Sequence, residues 1–196
     1  MRVVLATRNA HKVEEVQRIL APYDVELVSL TEFPDVGDVA ETGATFADNA
    51  LLKAEAVARE TGLTALADDS GLAVAALNGM PGVLSARWAG RHGDDLANLQ
   101  LVLDQIVDVP DERRGAAFVC AAAAVTPAGE RLVVEGRVEG IVIRSPRGTN
   151  GFGYDPIFVP TGEKRTTAEM SAEEKDAISH RGKAFRMLAP RLAELL

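Results

Sequence analysis

Two adjacent carboxylates, Asp68 and Asp69, interrupt an apolar run and are followed at once by Ser70 and Gly71. The stretch Leu63–Ala67 reads as a buried strand that stops at the acids, and the apolar pattern resumes at Leu72-Ala73-Val74. Neighbouring side chains of an extended segment point to opposite faces, so both acids cannot sit on one solvated side. A buried carboxylate needs a cation, a metal or hydrogen bonds. A turn rich in Asp and Ser is the alternative reading of the same four residues. Elsewhere the chain offers a further carboxylate at Glu41, cations at Lys12, Lys53, Lys175 and Arg181, and a glycine–aromatic loop within residues 147–158. Hard oxygen ligands suit Mg²⁺, which one or two carboxylates usually hold together with substrate phosphates. Lysines suit the phosphate oxygens, and a flat aromatic suits a base. Together these parts describe Mg²⁺-dependent chemistry on a nucleoside polyphosphate. Other machineries are missing: there is no HExxH, no paired-cysteine zinc spacing, no Gly-x-Ser-x-Gly elbow and no Walker A lysine. His11, His92 and His180 lie far apart, without metal-ligand spacing.

The elements that must position these groups follow from periodicity. Val3–Ala6 reads as a short strand, Thr7-Arg8-Asn9-Ala10 as a polar loop, and residues 11–20 as a helix with apolar positions at Val13, Val16, Ile19 and Leu20. Strand, loop and helix in that order aim backbone N–H groups at an anion, although Thr7 or Asn9 can equally be a plain helix cap. Lys12 is unfavourable at the positive end of a helix, and a bound polyanion would remove the conflict. Residues 25–30 read as a second strand and 31–44 as an acidic loop. Thr45 caps a helix to about Glu60, closed by Gly62. On that helix Lys53 projects between Phe46 and Val57 in the middle of the apolar face, with Asn49 beside it. Either the lysine snorkels to water or the face borders a charged pocket. In the second case Lys53 and both aspartates are expected to share one cleft, since sequential elements are usually neighbours.

Further on, Trp88 is expected in the core or at a subunit contact, and a helix is expected over residues 94–106. Residues 116–125 and 131–143 flank Pro127-Ala128-Gly129 as a long antiparallel hairpin. Gly151-Phe152-Gly153-Tyr154-Asp155 lets the backbone approach a flat ligand closely, or packs its aromatics as a structural loop. Ser171-Ala172-Glu173-Glu174 is a capping box. Lys175, Ser179, His180 and Arg181 then precede an amphipathic helix through Phe185, Leu188, Leu192 and Leu195, which Pro190 should kink or restart.

The bulk composition is that of a soluble globular chain. Hydrophobic residues make up 47% and charged residues 26% of 196, enough for one domain, residues 1–196, with a real core. A net charge of −8 and a pI near 5.0 argue against binding nucleic acid. The single cysteine, Cys120, reads as a small buried hydrophobe. No signal peptide or membrane-spanning run is visible, so a cytoplasmic protein without a membrane partner is expected.

The ordered set Thr7-Arg8-Asn9-Ala10-His11-Lys12, Glu41-Thr42-Gly43, Phe46 to Lys53, Ala67 to Leu72, Gly151 to Phe158 and Ser179-His180-Arg181-Gly182 resembles the inosine triphosphate pyrophosphatase family across essentially the whole chain. Asn150 departs from the glycine expected there in many members. The resemblance implies an α/β fold, with a long twisted mixed β-sheet flanked by helices in two lobes and a central nucleotide cleft. It implies hydrolysis of aberrant purine nucleoside triphosphates (dITP, ITP, XTP) to monophosphate and pyrophosphate, by water attack at the α-phosphorus. In that reading Asp69 is the general base and holds Mg²⁺ with Glu41, and Asp68 supports the same site. Thr7, Asn9 and Lys12 contact the triphosphate from the substrate loop Thr7, Arg8, Asn9, Ala10, His11 and Lys12, and Lys53 contacts it too and also serves catalysis. Ser70 touches the substrate, Phe152 stacks on the purine, and Gly153, Tyr154 and Asp155 complete that wall. Lys175, His180 and Arg181 read the base edge. A homodimer is implied as well. The related septum-inhibition pyrophosphatases would lack the Gly-Phe-Gly-Tyr-Asp and Ser-His-Arg stretches. A haloacid-dehalogenase-like phosphatase would need Asp-x-Asp, and a sensing module would need no base.

Overall fold

A computed structural model describes residues 1–192, 194 and 195. Among the described residues, strands β1 (Arg2–Leu5), β2 (Glu26–Ser29), β3 (Ala65–Val74), β4 (Gly115–Val125), β5 (Arg131–Val142) and β6 (Phe158–Pro160) form one sheet in the order β2-β1-β3-β4-β5-β6. β1 pairs in parallel with β2 and β3, while β5 and β6 are antiparallel. The sheet is therefore mixed, as expected. The helices are α1 (Ala10–Leu20), α2 (Phe46–Thr61), α3 (Asp95–Gln105), α4 (Ala172–Ile178) and α5 (His180–Leu192). The chain divides into two compact units: Met1–Asp69, Cys120–Gly136 and His180–Leu196 make the first, and Ser70–Val119 with Arg137–Ser179 the second.

In the first unit β1, β3 and β4 are buried on both faces, and their alternation sorts side chains between two helix layers. Val3, Leu5, Leu66, Cys120 and Ala122 pack with Val16 and Leu20 of α1 and Phe185 and Leu188 of α5. Val4, Ala65, Ala67 and Ala121 pack with Ala50, Ala54 and Val57 of α2. Double burial explains why residues 121–124 are all alanine rather than alternating polar and apolar. The helix ends follow the local signals. Thr45 and Asp48 form a reciprocal capping box on α2, and Gly62 closes it in the left-handed conformation at φ 68°. Pro190, expected to kink or restart α5, instead lies inside its last turn, and the helix continues to Leu192. So close to the end, the missing N–H costs one intrahelical bond without ending the helix.

The second unit has its own core, in which Leu72, Val74, Val138, Val142 and Phe158 meet Leu99, Val102, Leu103 and Ile106 of α3 and its end. Trp88, half-buried, packs against this cluster and donates its indole N–H to Gln105 Oε1 at 2.8 Å. Buried Arg114 donates to the carbonyls of Ile106, Val142 and Ile143, tying the end of α3 to β4 and β5.

The first turn of α5 lies directly on β5. A Cβ on Gly136 would stand 2.1 Å from the His180 carbonyl oxygen and 2.6 Å from the Ala184 nitrogen, both backbone atoms that cannot swing aside. Gly136→Ala should therefore destabilise the protein by about 1–3 kcal/mol, as overpacking does elsewhere. Thermal unfolding should show the midpoint falling by roughly 2–12 °C, and an unchanged Tm would mean that α5 does not need this close approach.

Candidate active site

The acidic motif is not a turn. β3 runs unbroken from Ala65 to Val74, so Asp68 and Asp69 sit in extended backbone within the sheet. The expected break at the acids fails because charge alone does not end a strand when each carboxylate finds partners on its own face. Alternation puts Asp69 on the face of Ala67, toward α2, and Asp68 on the face of Leu66, toward α1 and α5. Lys53 meets Asp69 directly, whereas Asp68 turns to the other helix layer. Lys53 thus meets Asp69 in a direct ion pair and Asp68 as a neighbouring charge.

On the α2 face, Asn49 and Lys53 stand one helical turn apart and both reach Asp69. Asn49, fully buried, donates from Nδ2 to Asp69 Oδ2 at 3.0 Å. Its Oδ1 accepts from the Gly43 N–H at 2.7 Å, which pins the Glu41-Thr42-Gly43 segment to the start of α2. Only glycine fits at 43, since a Cβ there would lie 2.5 Å from Asp48 Cβ. Lys53 Nζ then bridges two carboxylates, Glu41 Oε1 at 2.7 Å and Asp69 Oδ1 at 3.3 Å. Burial works against the ammonium, but Asp69, Asp68 and Glu41 outweigh it and hold Lys53 charged. For Asp69, burial and then the charge of Glu41 prevail over Lys53, Lys12 and the Asn49 bond, so its carboxyl titrates above the ordinary value of 3.8.

The other face is an ion cluster. Asp68 Oδ2 accepts from Arg181 Nη2 at 3.1 Å and Nε at 3.3 Å, and Lys12 Nζ lies 3.0 Å from the same oxygen. Arg181 Nη1 donates to Glu15 of α1. Burial disfavours the guanidinium charge, and Asp68 and Glu15 more than restore it. The conflict posed by Lys12 at the start of α1 is answered here by a protein carboxylate. Before α1, Thr7 Oγ1 accepts from the Asn9 N–H at 3.2 Å and Asn9 Oδ1 caps the helix at the Lys12 N–H, 3.3 Å away. Arg8 donates to the Val36 carbonyl at 2.5 Å and to Asp38 at 3.4 Å, bracing the acidic loop that leads to Glu41. Ala10 and His11 open α1 on its exposed side, and buried His180 opens α5.

In the second unit, half-buried Ser70 follows on β3. Asp155, buried, organises the glycine–aromatic loop. Its Oδ2 accepts from Lys175 Nζ at 2.6 Å and from the Phe152 N–H at 2.9 Å, and its Oδ1 accepts from Thr167 Oγ1 at 2.8 Å. Lys175 Nζ also lies 4.9 Å from the centroid of the Phe152 ring, a cation–π distance. Tyr154 is buried and donates its hydroxyl to the Ser85 carbonyl at 2.7 Å. Asn150, where glycine was expected, donates its Nδ2 to the Met170 carbonyl at 2.8 Å.

Among the described residues, no group of three or more His, Cys, Asp or Glu side chains is disposed to hold a metal ion. Glu41 and Asp69 nevertheless converge on a single ammonium, so two carboxylates already face one cationic position. That donor set fits an ion that keeps most of its shell for water and phosphate, as Mg²⁺ does, and not a closed zinc or calcium cage.

The model of the Ham1 family matches residues 3–191. The chain belongs to that family. A relative from Mycobacteroides abscessus named dITP/XTP pyrophosphatase is 60% identical over all of this chain and 97% of its own. One of the same name from Streptomyces coelicolor is 61% identical over 100% and 98%. Among solved structures, a Ham1 protein from Coxiella burnetii is 45% identical and superimposes with a TM-score of 0.89 over 99% of both chains. One from Staphylococcus aureus is 39% identical with a TM-score of 0.88 over 100% of both. Within this Ham1 chain, two members of the clusters had only faint signals in the sequence. Asn49 shows as an amide one turn before Lys53 on an apolar face, and Glu15 as an acid beside Val16 on the buried stripe of α1.

Breaking the Arg181 cluster from one side should be costly. Arg181→Met leaves Asp68 and Glu15 buried with one cation fewer and should lose about 3–5 kcal/mol in denaturant unfolding. The combined Glu15→Gln, Asp68→Asn, Arg181→Met variant should recover roughly half or more of that loss. A combined variant as unstable as the single one would show that the cluster is not the source of the effect.

Proposed function

We propose that the protein hydrolyses aberrant purine nucleoside triphosphates, dITP, ITP and XTP, to the monophosphate and pyrophosphate. The observation that carries this reading is the convergence of Glu41 and Asp69 on Lys53, with the Asp69 carboxyl pushed upward by burial. The names of the relatives supply the substrate class. A base whose pKa moves toward neutrality keeps its correct form near pH 7 while accepting a proton more readily. In the reaction, Asp69 takes a proton from water as the water oxygen bonds to the α-phosphorus. The bond from that phosphorus to the bridging oxygen breaks, and pyrophosphate leaves with its electron pair. Lys53 and Lys12 offset the charge that builds on the phosphate oxygens. Thr7, Asn9 and the α1 N-terminus bind the phosphates, with Arg8, Ala10 and His11 shaping that loop. Mg²⁺, held by Glu41 and Asp69, would supply charge neutralisation at the phosphates.

The purine stacks on Phe152 in this reading, within the loop that Gly153, Tyr154 and Asp155 complete, and Ser70 is a further substrate contact. Lys175 donates toward the 6-keto oxygen, and His180 and Arg181 are assigned to the same base edge. An adenine amino group would leave a buried donor unmatched there, which is the discriminating penalty. A homodimer is part of the proposal on the family resemblance alone. Cytoplasmic location is proposed alongside the finding that no described helix is long and apolar enough to cross a membrane.

A substrate panel with separate assays for pyrophosphate and orthophosphate tests the reading. With Mg²⁺, pyrophosphate should be the primary product from ITP, dITP and XTP, with kcat/KM exceeding that for ATP by on the order of 100-fold or more. Chelation should abolish turnover. Orthophosphate as the primary product, or equal turnover of ATP, would reject the proposal.

A further inference from the structure

The tethers of the Phe152 loop fall into two kinds. Asp155 holds Phe152 from inside the loop: its carboxylate accepts the Phe152 N–H, and its own N–H donates to the Phe152 carbonyl at 3.2 Å. These bonds shape the loop, and the same carboxylate's bonds to Lys175 and Thr167 fasten it beside α4. Two bonds of longer sequence span tie the loop to the scaffold of the second unit as well. One runs from the Tyr154 hydroxyl to the Ser85 carbonyl, 69 residues away in sequence. Ser85 is itself anchored, its Oγ accepting from the Leu72 N–H at 2.9 Å and donating to the Gly82 carbonyl at 2.7 Å. The other is the Gly153 N–H, which donates to Asp95 Oδ2 at 2.9 Å across 58 residues.

We infer that Asp95 is a positioning residue that sets the placement of the Phe152 ring for the purine. Its seat is rigid, because Asp95 opens α3, whose Asp94 cap bonds the Ala97 N–H and whose Leu99, Val102 and Leu103 are buried in the core of this unit. The bonded amide is the one that immediately follows Phe152. The peptide leaving the aromatic residue is thus gripped at its carbonyl by Asp155 and at its N–H by Asp95. Gly153 stands at φ 61° and has open space where a Cβ would be, so backbone conformation rather than packing demands glycine there. A loop residue in that conformation has few packing contacts of its own, and an outside acceptor does the orienting. Asp95 is exposed, so its carboxylate serves this bond without carrying much of the core. The inference rests on the proposed stacking of the base on Phe152.

Asp95→Ala and Asp95→Asn, compared with the parent, test it. In Asp95→Ala the KM for ITP should rise by about fivefold to tenfold, the loss of one charge-assisted hydrogen bond, with kcat within about twofold of the parent. Asp95→Asn retains an acceptor oxygen and should stay within about twofold in both constants. The Gly153 amide proton should move upfield in the nucleotide-free alanine variant and keep its position in the asparagine variant. Tm should change by no more than about 3 °C in either, since the residue is exposed. A parental ITP turnover with unchanged KM in Asp95→Ala, or a fall in kcat at constant KM, would overturn the positioning role. Absence of ITP turnover in the parent would instead overturn the proposed function on which the role rests.

Discussion

The alternation of side chains along a single strand divides the chemistry of this protein. Asp68 and Asp69 are neighbours in sequence, yet the pleat of β3 sends them into different helix layers of the first unit. Each then meets its own cation: Lys53 on the α2 side, Arg181 with Lys12 on the α1–α5 side. A one-residue slip of the strand would exchange the two faces and leave both acids opposite the wrong partners. The parallel pairing of β3 with β1, Val4 opposite Ala65 and Leu5 opposite Leu66, prevents that slip.

The two faces are electrostatically unlike. On the Asp68 side Arg181 is bonded through Nε, Nη1 and Nη2 to carboxylates, an arrangement whose removal from one side strands charge in the core. On the Asp69 side two carboxylates share one ammonium, and Asp69 is held above its ordinary titration range by burial and by Glu41. The sign of that shift has a consequence for stability in the metal-free protein. A carboxyl whose folded value is raised contributes stability that is complete below its unfolded value, near 3.8, and lost as pH rises through the folded one. At neutral pH the ionised Asp69 is thus a cost to the fold, as functional groups often are.

How much of this was legible in the sequence depended on sequence distance. Local devices were readable: the Thr45 cap, the Gly62 stop, the Ser171–Glu174 box and the misplaced Lys53 each involve residues within a turn or two of one another. The hairpin followed from runs of apolar residues and a glycine turn, whereas the mixed sheet came from the family resemblance. Asp68-Asp69-Ser70-Gly71 was misread as a strand end because its partners arrive from elsewhere, Arg181 from 113 residues away. Asp95 and Gly153, 58 residues apart, carry no local sign of each other. Pro190 misled for the opposite reason: a strong local rule met a helix that had only two residues left to run.

The division of labour between the two acids is tested most directly by measuring thermal unfolding of the metal-free protein and pyrophosphate release with Mg²⁺ side by side in Asp68→Asn and Asp69→Asn. Asp68→Asn should lower Tm by roughly 10 °C, because it weakens the seat of a buried guanidinium. Asp69→Asn should leave Tm unchanged or higher at pH 7 and reduce turnover by at least about 1000-fold, as the loss of a base that is also a metal ligand demands. Near-normal turnover in Asp69→Asn, or equal loss of stability in both variants, would contradict the account.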